Sequence, residues 1–435
     1  MKIYRLLAVA FLFCVGYSSF AQDSLRLEKV VVVSRHGLRT PLENYYATLD
    51  SIVPEGVSWD LWNARGVKGS DLTPKGSALE TLFGDYFRLW LNSLGFQLQP
   101  SDVYFGASSK QRTIATARSF AAGMLPLMTI PVDFKQADHG GYGPLDENYL
   151  PLFNGMSFNE ESAFDTVAFQ EEARRELGEL KAPNYGFLEE VLRYSLSPRA
   201  KAKNSKHFNG DVGVRLCFYD KKSGVRLEPS MCGDLNVANR ASDALILMYY
   251  EAPDALQALL GRELGFDDMC RLANVKEQYG TILFTAPVIA VNVSHGMLKR
   301  VYSEMNCNWH KFTFLCTHDS MIQALLSALR VEKYNLSNTI EATTPIGFKF
   351  LLEEWVDYND CERYVNARLL YQSAKQIQEM QVLDLSNPPM SFELSFTGLE
   401  RTENGMYRYD DFINHLKKTL SAYNATARGQ NPFGE

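Results

Sequence analysis

The sequence predicts an α/β fold in which a mostly parallel central sheet is flanked by helices. Residues 30–33 are an unbroken run of valines, which is typical of a strand buried on both faces of a parallel sheet. Two further strand-like runs, at residues 102–107 and 312–316, are each followed by a helical pattern, at 112–124 and 320–329. Strands that alternate with helices along the chain are typical of a sheet covered by helices on both faces.

Other stretches complete the predicted core. Thr73 and Pro74 form a helix start, with Thr73 as the N-cap and Pro74 in the first helical position. The apolar residues of 79–90 keep helical spacing behind them, so we expect one face of this helix to pack on the sheet. Residues 349–352 and 367–371 are predicted to be further strands.

The pattern changes between about residues 132 and 276. Helical patterns are joined by polar loops in this part of the chain, at residues 161–181, 187–195 and 238–251. We therefore predict a mainly α-helical domain that is inserted into a two-part α/β core. The core comprises residues 22–131 and 277–435, and the inserted domain comprises residues 132–276.

The first 21 residues have the pattern of a secretory signal peptide. Lys2 and Arg5 precede a run of ten apolar residues at 6–15, and Ala21 ends a small-residue segment at which we expect cleavage. The apolar run is too short to span a bilayer. Cys14 follows a bulky side chain, which disfavours a lipidated cysteine. We therefore expect an exported, periplasmic protein without a membrane span.

Composition and charge restrict the partners. The chain has 435 residues, of which 46% are hydrophobic and 22% are charged, as is ordinary for globular proteins. Its formal net charge of −7 argues against a nucleic-acid partner. Any anionic ligand must therefore be bound in a local basic pocket. The sequence leaves open whether the protein is a monomer or a homodimer.

Six cysteines follow the N-terminal segment, and an even number in an exported chain permits disulfide bonds. Cys217 and Cys232 are close enough in sequence to close a small loop, but the pairing stays open. Cys316 lies in an apolar strand-like run and is predicted to be a buried free thiol. No two cysteines have CxxC spacing, and we expect neither a metal ion nor another cofactor.

Charged residues cluster where three predicted strands end. Because the ligand crevice of an open α/β sheet lies beyond the carboxyl ends of its strands, we expect these side chains to meet in one pocket. Like charges at strand ends cost free energy unless an anion lies among them. The clustered residues, in chain order, are Arg35, His36, Arg39, Arg112, His318 and Asp319.

Such a pocket suits a phosphate ester. Guanidinium groups bind phosphate oxygens through paired, charge-assisted hydrogen bonds. Neighbouring cations lower the pKa of a histidine, which keeps it neutral and nucleophilic. Asp319 is then a candidate donor of the proton that the leaving alkoxide needs. No metal is required, because arginines can stabilise the developing charge. Gly37 is expected to let the backbone turn tightly after His36.

The segment at residues 34–41, SRHGLRTP, resembles the RHGxRxP signature of the histidine acid phosphatases, the second branch of the histidine phosphatase superfamily. His318-Asp319 resembles the distal HD motif of that family, and Gln111-Arg112-Thr113 resembles its third-arginine helix. The resemblance covers essentially the whole mature chain and is strongest to the periplasmic glucose-1-phosphatases and phytases. It implies a phosphoglycerate mutase-like fold with an inserted helical domain.

The resemblance also implies a role for each matched residue. His36 is the nucleophile that carries the phosphoryl group, and Asp319 protonates the leaving group. Glu228, in the Glu-Pro-x-x-x-Gly stretch, matches a glutamate that contacts the substrate in glucose-1-phosphatases. Gly37 is a departure from that group, because glucose-1-phosphatases commonly carry another residue at this position. Phytases and acid phosphatases carry glycine there. The remaining residues are expected to bind the phosphate group: Arg35, Arg39, Arg112 and His318.

These observations predict an exported acid phosphatase that hydrolyses a small-molecule phosphate monoester through phosphohistidine. A sugar phosphate such as glucose 1-phosphate is the first expectation, with a phytase or a broad-specificity acid phosphatase as the alternative. A phosphomutase is disfavoured by the signal peptide and by Leu38-Arg39 after the histidine. A non-catalytic phosphate-ester binding protein is disfavoured by the presence of the nucleophile, the arginines and the acid together.

Overall fold

A seven-stranded mixed sheet forms the centre of the structure. In the computed structural model used here, the predicted signal segment and most polar loops of the predicted insertion lie outside the described residues. The described residues are 24–42, 45, 67, 69–136, 146–153, 166–178, 187–188, 190–191, 215–217, 228–232 and 234–434.

The strands of the described part are short, apart from three of nine or more residues. Their bounds are β1 Leu25–Arg35, β2 Val103–Ala107, β3 Arg215–Cys217, β4 Ser230–Cys232, β5 Phe312–Thr317, β6 Lys349–Asp357, β7 Arg363–Tyr371, β8 Met390–Glu393 and β9 Tyr407–Arg408. The main sheet has the order β2-β5-β1-β6-β7-β8, and β9 also pairs with β7. β3 and β4 form a separate antiparallel pair.

The sheet is mixed, whereas the sequence predicted a mostly parallel one. The predicted α/β fold with flanking helices is confirmed, and β2, β5 and β1 are parallel. β6 runs antiparallel to β1 and to β7, and β8 and β9 run antiparallel to β7. Only residues 358–362 connect β6 to β7, and so short a connection cannot make the crossover that parallel neighbours require.

The parallel register places the ends of β1 and β5 side by side. Arg35 on β1 is level with Thr317 on β5, so the residues that follow these strands emerge next to each other. β2 ends beside β5, with Ala107 opposite Cys316. Three strands thus deliver their following loops to one edge of the sheet, as the sequence predicted.

Helices lie on both faces of this sheet. Their bounds are α1 Pro74–Ser93, α2 Gln111–Met124, α3 Thr166–Gly178, α4 Asp234–Glu251, α5 Pro253–Leu260, α6 Phe266–Phe284, α7 Pro287–Asn306, α8 Asp319–Ala328, α9 Ala374–Gln378 and α10 Tyr409–Thr426. The predicted start of α1 is confirmed, since the Thr73 side chain accepts a hydrogen bond from the amide of Gly76 and Pro74 is the first helical residue.

The valine run of β1 is buried on both faces. Val30 and Val32 pack with Phe120 of α2 and with α1 on one face. Val31 and Val33 point to the opposite face, where they pack against α7, α8 and α10. Alternate side chains of a strand point to opposite faces, so an unbroken apolar run is the pattern that a doubly covered strand needs.

Helices α3, α4, α5 and α6 share a further hydrophobic core with the start of α7. This part of the chain is helical where it is described, as predicted. The predicted domain boundary at residue 276 lies within α6, and the division into domains stays a prediction. Among the described residues, no single helix combines the length and the hydropathy needed to cross a bilayer; α6 and α7 meet these criteria only as a pair, which is bent by 86°.

Cys316 is buried and has a free thiol, as predicted. Cys270, Cys307 and Cys361 are free as well. Cys217 and Cys232 lie on paired strands, β3 and β4, but their side chains fall outside the described part of the structure. Their pairing therefore stays open.

Candidate active site

His36 is held by backbone hydrogen bonds directly beyond the end of β1. Its amide donates to the carbonyl of Thr317 at 3.0 Å, and its carbonyl accepts from the amide of Gly347 at 3.3 Å. The next residue is held too, because the amide of Gly37 donates to the hydroxyl of Thr116 at 3.0 Å. The imidazole is almost completely buried. Its position is therefore set by the sheet and by α2.

The hydrogen bonding of His36 leaves one ring nitrogen available. Nδ1 lies 2.9 Å from the carbonyl oxygen of Gly37, and a carbonyl can only accept. Nδ1 therefore carries the proton, and Nε2 keeps its lone pair. Burial, together with the charges of Arg112 and Arg39, holds the pKa of His36 well below its usual 6.5. The ring is therefore neutral even at acid pH, and Nε2 has a lone pair that can act as a nucleophile.

Arg35 is the last residue of β1, and its side chain is 1% exposed. One terminal nitrogen, Nη1, donates to Oε1 of Glu341 at 2.9 Å and to the carbonyl of Thr344 at 2.5 Å. The other, Nη2, lies 3.1 Å from Oδ2 of Asp319. Nε is buried and has no hydrogen-bond partner within the described part of the chain. The guanidinium is thus fixed in place with one donor still unsatisfied.

Arg39 is held on the opposite side of the pocket by α4. Its Nη2 donates to both carboxylate oxygens of Asp243, at 3.0 and 3.3 Å, and Nη1 donates to the carbonyl of Thr40. Its Nε is also buried and unsatisfied among the described residues. An unpaired buried donor is costly, so the Nε of Arg39, which lines the pocket, indicates that an acceptor belongs there.

His318 lies across the pocket from His36, with the ring centroids 5.4 Å apart. Nη2 of Arg112 lies 3.3 Å from its Nδ1, and Oγ of Ser108 lies 3.1 Å from its Nε2. An arginine can only donate, so Nδ1 accepts and the proton is on Nε2. Burial and the charge of Arg112 hold the pKa of His318 well below its usual value. Both histidines are therefore neutral.

Asp319 is the first residue of α8, where the helix dipole favours a negative charge. Its Oδ1 accepts from the amide of Ser320, and its Oδ2 lies 3.1 Å from Arg35 and 3.0 Å from Nζ of Lys276. Burial alone would raise the pKa of Asp319, but the charges of Arg35 and Lys276 outweigh it and hold the pKa well below 3.8. The carboxyl group is ionised in the ligand-free pocket.

The predicted residues line one pocket at the edge where the three parallel strands end. Arg35 lies behind Asp319 and reaches the pocket through it. Helices α2 and α8 begin at this pocket, and the partial positive charge of their N-termini favours a bound anion. The predicted side chains that line the pocket wall are His36, Arg39, Arg112, Glu228, His318 and Asp319.

A neutral imidazole with an available lone pair, in a pocket that Arg39 and Arg112 also line, is suited to transfer of a phosphoryl group. The family model of the histidine phosphatase superfamily, branch 2, matches residues 26–369, which include every one of these positions. This chain belongs to branch 2 of the histidine phosphatase superfamily. The prediction of a histidine acid phosphatase, an enzyme that hydrolyses phosphate monoesters, is thereby confirmed.

Two bacterial glucose-1-phosphatases are similar to this phosphatase along nearly their whole length. That of Salmonella typhimurium is 33% identical over 424 residues, covering 94% of this chain and 97% of the relative. That of Providencia rettgeri is 32% identical over 411 residues, covering 92% and 93%. Among solved structures, the apo form of the Hafnia alvei phytase has the same fold, with a TM-score of 0.76, 22% identity and coverage of 91% and 97%.

Three charged residues of the phosphatase site were not predicted from the sequence. Glu341 pairs with Arg35, Asp243 pairs with Arg39, and Lys276 contacts both carboxylates as well as Asp319. Asp243 did carry a signal, because it is the only charge between Arg240 and Glu251 in the apolar stretch of α4, and a buried charge needs a partner. Lys276 and Glu341 stand in ordinary polar surroundings in the sequence and carry none.

The reason for glycine at position 37 is space rather than a tight turn. The expected backbone freedom is not used, since Gly37 is not among the residues with positive φ. A Cβ at Gly37 would lie 2.9 Å from Cγ of Glu80 and 3.2 Å from Leu72. The Glu80 side chain is held in place by an ion pair, in which its Oε2 accepts a hydrogen bond of 2.9 Å from Nζ of the fully buried Lys349. This ion pair leaves room for nothing larger than glycine.

A second cluster of chemically reactive side chains lies at the end of α7. Cys307 and His310 have the CxxH spacing of zinc ligands, which counts against the expectation of no metal, and Glu304 lies beside both. However, the Glu304 carboxylate is already bound by Arg300 at 2.8 Å and by Thr313 at 2.8 Å, in addition to His310 at 3.0 Å. The positive charge of Arg300 opposes a cation, so we interpret the cluster as a cap on α7.

Proposed function

We propose that this phosphatase hydrolyses small phosphate monoesters through a phosphohistidine on His36 and that it prefers sugar phosphates such as glucose 1-phosphate. The observation that carries the proposal is the available Nε2 of a neutral His36 in a pocket that Arg39 and Arg112 also line, where Arg39 keeps an unsatisfied Nε donor. These groups supply a nucleophile and the hydrogen-bond donors for phosphate oxygens in one place.

The reaction has two steps. In the first, Nε2 of His36 attacks phosphorus while Asp319, which must first take up a proton, gives it to the departing alkoxide. In the second, Asp319 accepts a proton from the water molecule that attacks the phosphohistidine, which releases phosphate and restores the neutral imidazole. Arg35, Arg39 and Arg112 stabilise the charge on the equatorial oxygens throughout.

The preference for a sugar phosphate is supported by the charge of the outer pocket. Glu228 and Asp243 line the pocket together with Lys110 and Lys276, and Glu277, whose pKa is raised to about 7, adds a carboxyl group that is neutral at acid pH. Carboxylates accept hydrogen bonds from sugar hydroxyl groups and repel the additional phosphates of a polyanion. The two glucose-1-phosphatase relatives point in the same direction. Phytate remains the alternative substrate because a phytase shares the fold.

A panel of phosphate-release assays tests this function directly. Purified protein is given glucose 1-phosphate, phytate and p-nitrophenyl phosphate across the acid and neutral pH range. We expect kcat/KM for glucose 1-phosphate to exceed that for phytate. A higher value for phytate would overturn the substrate preference, and no release from any of the three would overturn the hydrolase proposal itself.

The role of Asp319 has a separate test. A D319N variant cannot protonate the leaving group, so we expect glucose 1-phosphate turnover to fall by about 10² to 10⁴-fold. p-Nitrophenyl phosphate, whose leaving group needs little protonation, should be affected far less. Equal losses for the two substrates would assign Asp319 a structural role instead.

Export is part of the proposal, and its basis is the N-terminal sequence pattern, which lies outside the described residues. Expression of the full chain in a Gram-negative host should yield periplasmic protein whose first residue is close to Gln22. N-terminal sequencing of the periplasmic fraction measures this. Cytoplasmic protein that retains residues 1–21 would contradict it.

A further inference from the structure

Lys276 is a cation of the pocket that the family motifs do not include. It lies on α6, and its side chain is 12% exposed. Its Nζ lies 3.0 Å from Oδ2 of Asp319 and 2.5 Å from Oε1 of Glu341, and the carboxylate of Asp243 is 3.7 Å away. One ammonium group therefore joins three carboxylates that come from distant parts of the chain.

The Asp319 carboxylate lies between two fixed cations. Arg35 binds it from β1, and Lys276 binds it from α6 through the same oxygen. Burial by itself lowers the pKa of Lys276, but the three carboxylates outweigh it and raise the pKa above its usual value, so the ammonium stays charged. The charged and titratable groups that face Asp319, directly or through Lys276, are Arg35, His36, Arg39, Asp243, Lys276, His318 and Glu341.

These contacts distinguish the two cations. Arg35 also binds the phosphate group when substrate is present, according to the function proposed above, so its positive charge is shared between the phosphate and Asp319. Lys276 is anchored to Glu341 and Asp243, so it can stay beside Asp319 throughout the reaction. Its position fixes both where the carboxylate lies and what charge it has before substrate arrives.

We propose that Lys276 is a positioning residue that keeps Asp319 ionised in the empty pocket, so that the proton for the leaving group enters with the substrate, on its phosphate monoanion. This inference rests on the proposed phosphatase function and adds the origin of the proton. An enzyme with a free acid would instead store the proton on its own carboxyl group and bind the phosphate dianion.

The proton and charge balance of the cycle is complete without a further reactant. The substrate monoanion binds, and its proton passes from a phosphate oxygen to Asp319, which leaves a bound dianion. Nε2 of His36 forms a bond to phosphorus, the ester P–O bond breaks, and the proton moves from Asp319 to the alkoxide oxygen. Water then attacks phosphorus, the P–N bond breaks and its electron pair returns to Nε2 of His36. The attacking water gives a proton to Asp319, which passes it to the departing phosphate. The enzyme returns with an ionised Asp319 and a neutral His36.

The pH dependence of kcat/KM follows, because this quantity reports the free enzyme and the free substrate. It should fall as pH rises through the second pKa of the substrate, which is about 6 for phosphate monoesters. It should also fall as pH drops through the pKa of Asp319, which lies well below 3.8 in the wild type. The decrease of kcat/KM at high pH, the alkaline limb of the profile, is thus set by the pKa of the substrate. The decrease at low pH, the acid limb, is set by the pKa of Asp319.

The alkaline limb can be tested with the wild-type protein. kcat/KM is measured against pH for glucose 1-phosphate and for a fluorinated glucose 1-phosphate whose second pKa is lower. We expect the alkaline limb to move down by the difference between the two substrate pKa values. A limb at the same pH for both substrates would show that an enzyme group controls it, and this would overturn the proposal.

The acid limb can be tested by removing the charge of Lys276. In K276M, the loss of one neighbouring cation should raise the pKa of Asp319 by about 1 to 3 units, so the acid limb moves up by that amount. K276R keeps the charge and should retain a limb close to that of the wild type. If K276M does not fold, the K276M/E341Q variant, which restores the charge balance, replaces it. Circular dichroism at each pH separates an acid limb from acid unfolding.

The effect of K276M in the D319N variant shows whether the shift of the acid limb acts through Asp319. His36 also titrates below its usual range, so K276M could move the acid limb through the histidine. K276M is therefore compared with wild-type Lys276 in the D319N background, with p-nitrophenyl phosphate as substrate. We expect no shift there. A shift that persists without Asp319, or an unchanged limb in K276M, would overturn the proposal, while phosphate release by the wild type would leave the phosphatase function intact.

Discussion

The two sides of the pocket differ in charge and in construction. The inner side, where phosphate is expected, is lined by His36, Arg39 and Arg112, which follow the parallel strands β1 and β2. Arg35, the last residue of β1, lies behind Asp319. The outer side, where the leaving group is expected, carries Glu228 and other carboxylates on helices α4 and α6 and on the loop before β4. The inner side is basic and tied to the sheet, whereas the outer side is rich in acidic groups.

This difference separates reaction from selectivity. Every phosphate monoester presents the same phosphate group, so a rigid basic wall serves all substrates equally well. Leaving groups differ in hydroxyl groups and in charge, and the acidic helical wall is the side that meets them. We therefore expect substitutions on the inner side to lower turnover for all substrates and those on the outer side to change which substrate is preferred.

The largest effect is expected from loss of the nucleophile. H36A should lower kcat by about 10⁴-fold or more for every substrate, as removal of a covalent nucleophile does in other enzymes. The measurement is steady-state phosphate release, with binding of inorganic phosphate as the control for an intact pocket. If H36A retained most of its activity on any monoester while still binding phosphate, the phosphohistidine mechanism would be wrong.

A smaller effect is expected when the nucleophile is displaced rather than removed. In G37A the new methyl group would press on Glu80, which Lys349 holds in place, so His36 must shift. Misplacement by about 1 Å costs on the order of 10²-fold in kcat. G265A is the matched control, because a Cβ at Gly265 meets no atom within 4 Å. Wild-type activity in G37A would show that the Glu80 side chain moves aside and that His36 is not displaced, which would contradict the prediction.

The inner side was largely predictable from the sequence, because its residues stand next to predicted strand ends. The partners of these residues were not. Glu341 and Lys276 join the site from 306 and 241 positions away from Arg35, and neither local composition nor periodicity reports contacts at that distance. Asp243 is different, since it is the only charge in the apolar stretch between Arg240 and Glu251, and such a charge predicts a buried partner even without a structure.

The antiparallel half of the sheet was missed for a local reason. β6 continues to Asp357 and β7 begins at Arg363, well beyond the apolar segments from which the strands were predicted. The extra residues include the charged Glu353, Glu354, Asp357 and Arg363, so these segments resemble a loop in the sequence. In the sheet these charges are paired across the strands, with Glu354 bound to Arg363 and Glu353 to Arg368. The strands predicted at residues 349–352 and 367–371 are shorter than β6 and β7, so the predicted connection between them was long enough for a parallel crossover. The chain makes a short antiparallel connection instead.

On the outer side, Glu228 should affect one class of substrate. E228Q removes a charged acceptor for sugar hydroxyl groups, so we expect KM for glucose 1-phosphate to rise by about 10-fold. KM for p-nitrophenyl phosphate, which has no hydroxyl groups to bind, should stay within about 2-fold of the wild-type value. Equal changes for both substrates would place Glu228 with the phosphate-binding residues and would contradict the division between the two sides.

The smallest effect concerns stability rather than turnover. Burial raises the pKa of Glu277 from 4.5 to about 7, although its Oε1 accepts hydrogen bonds from the amide and hydroxyl of Thr343. A carboxyl group whose folded pKa is raised stabilises the fold below its unfolded pKa and loses this contribution as pH rises. The wild type should therefore lose stability between about pH 4.5 and 7.

E277Q tests this loss, because glutamine resembles the protonated carboxyl group and does not titrate. Urea unfolding should give equal free energies of unfolding for E277Q and wild type at pH 4, where Glu277 is neutral. At pH 8 the variant should be more stable by about 1 to 2 kcal/mol, since the partly exposed group loses less than the full shift implies. E263Q, at an exposed glutamate, is the matched control and should change neither value. If E277Q were less stable at pH 8, the outer wall would need its negative charge for folding, and the acidity of that side would no longer be attributable to substrate selection alone.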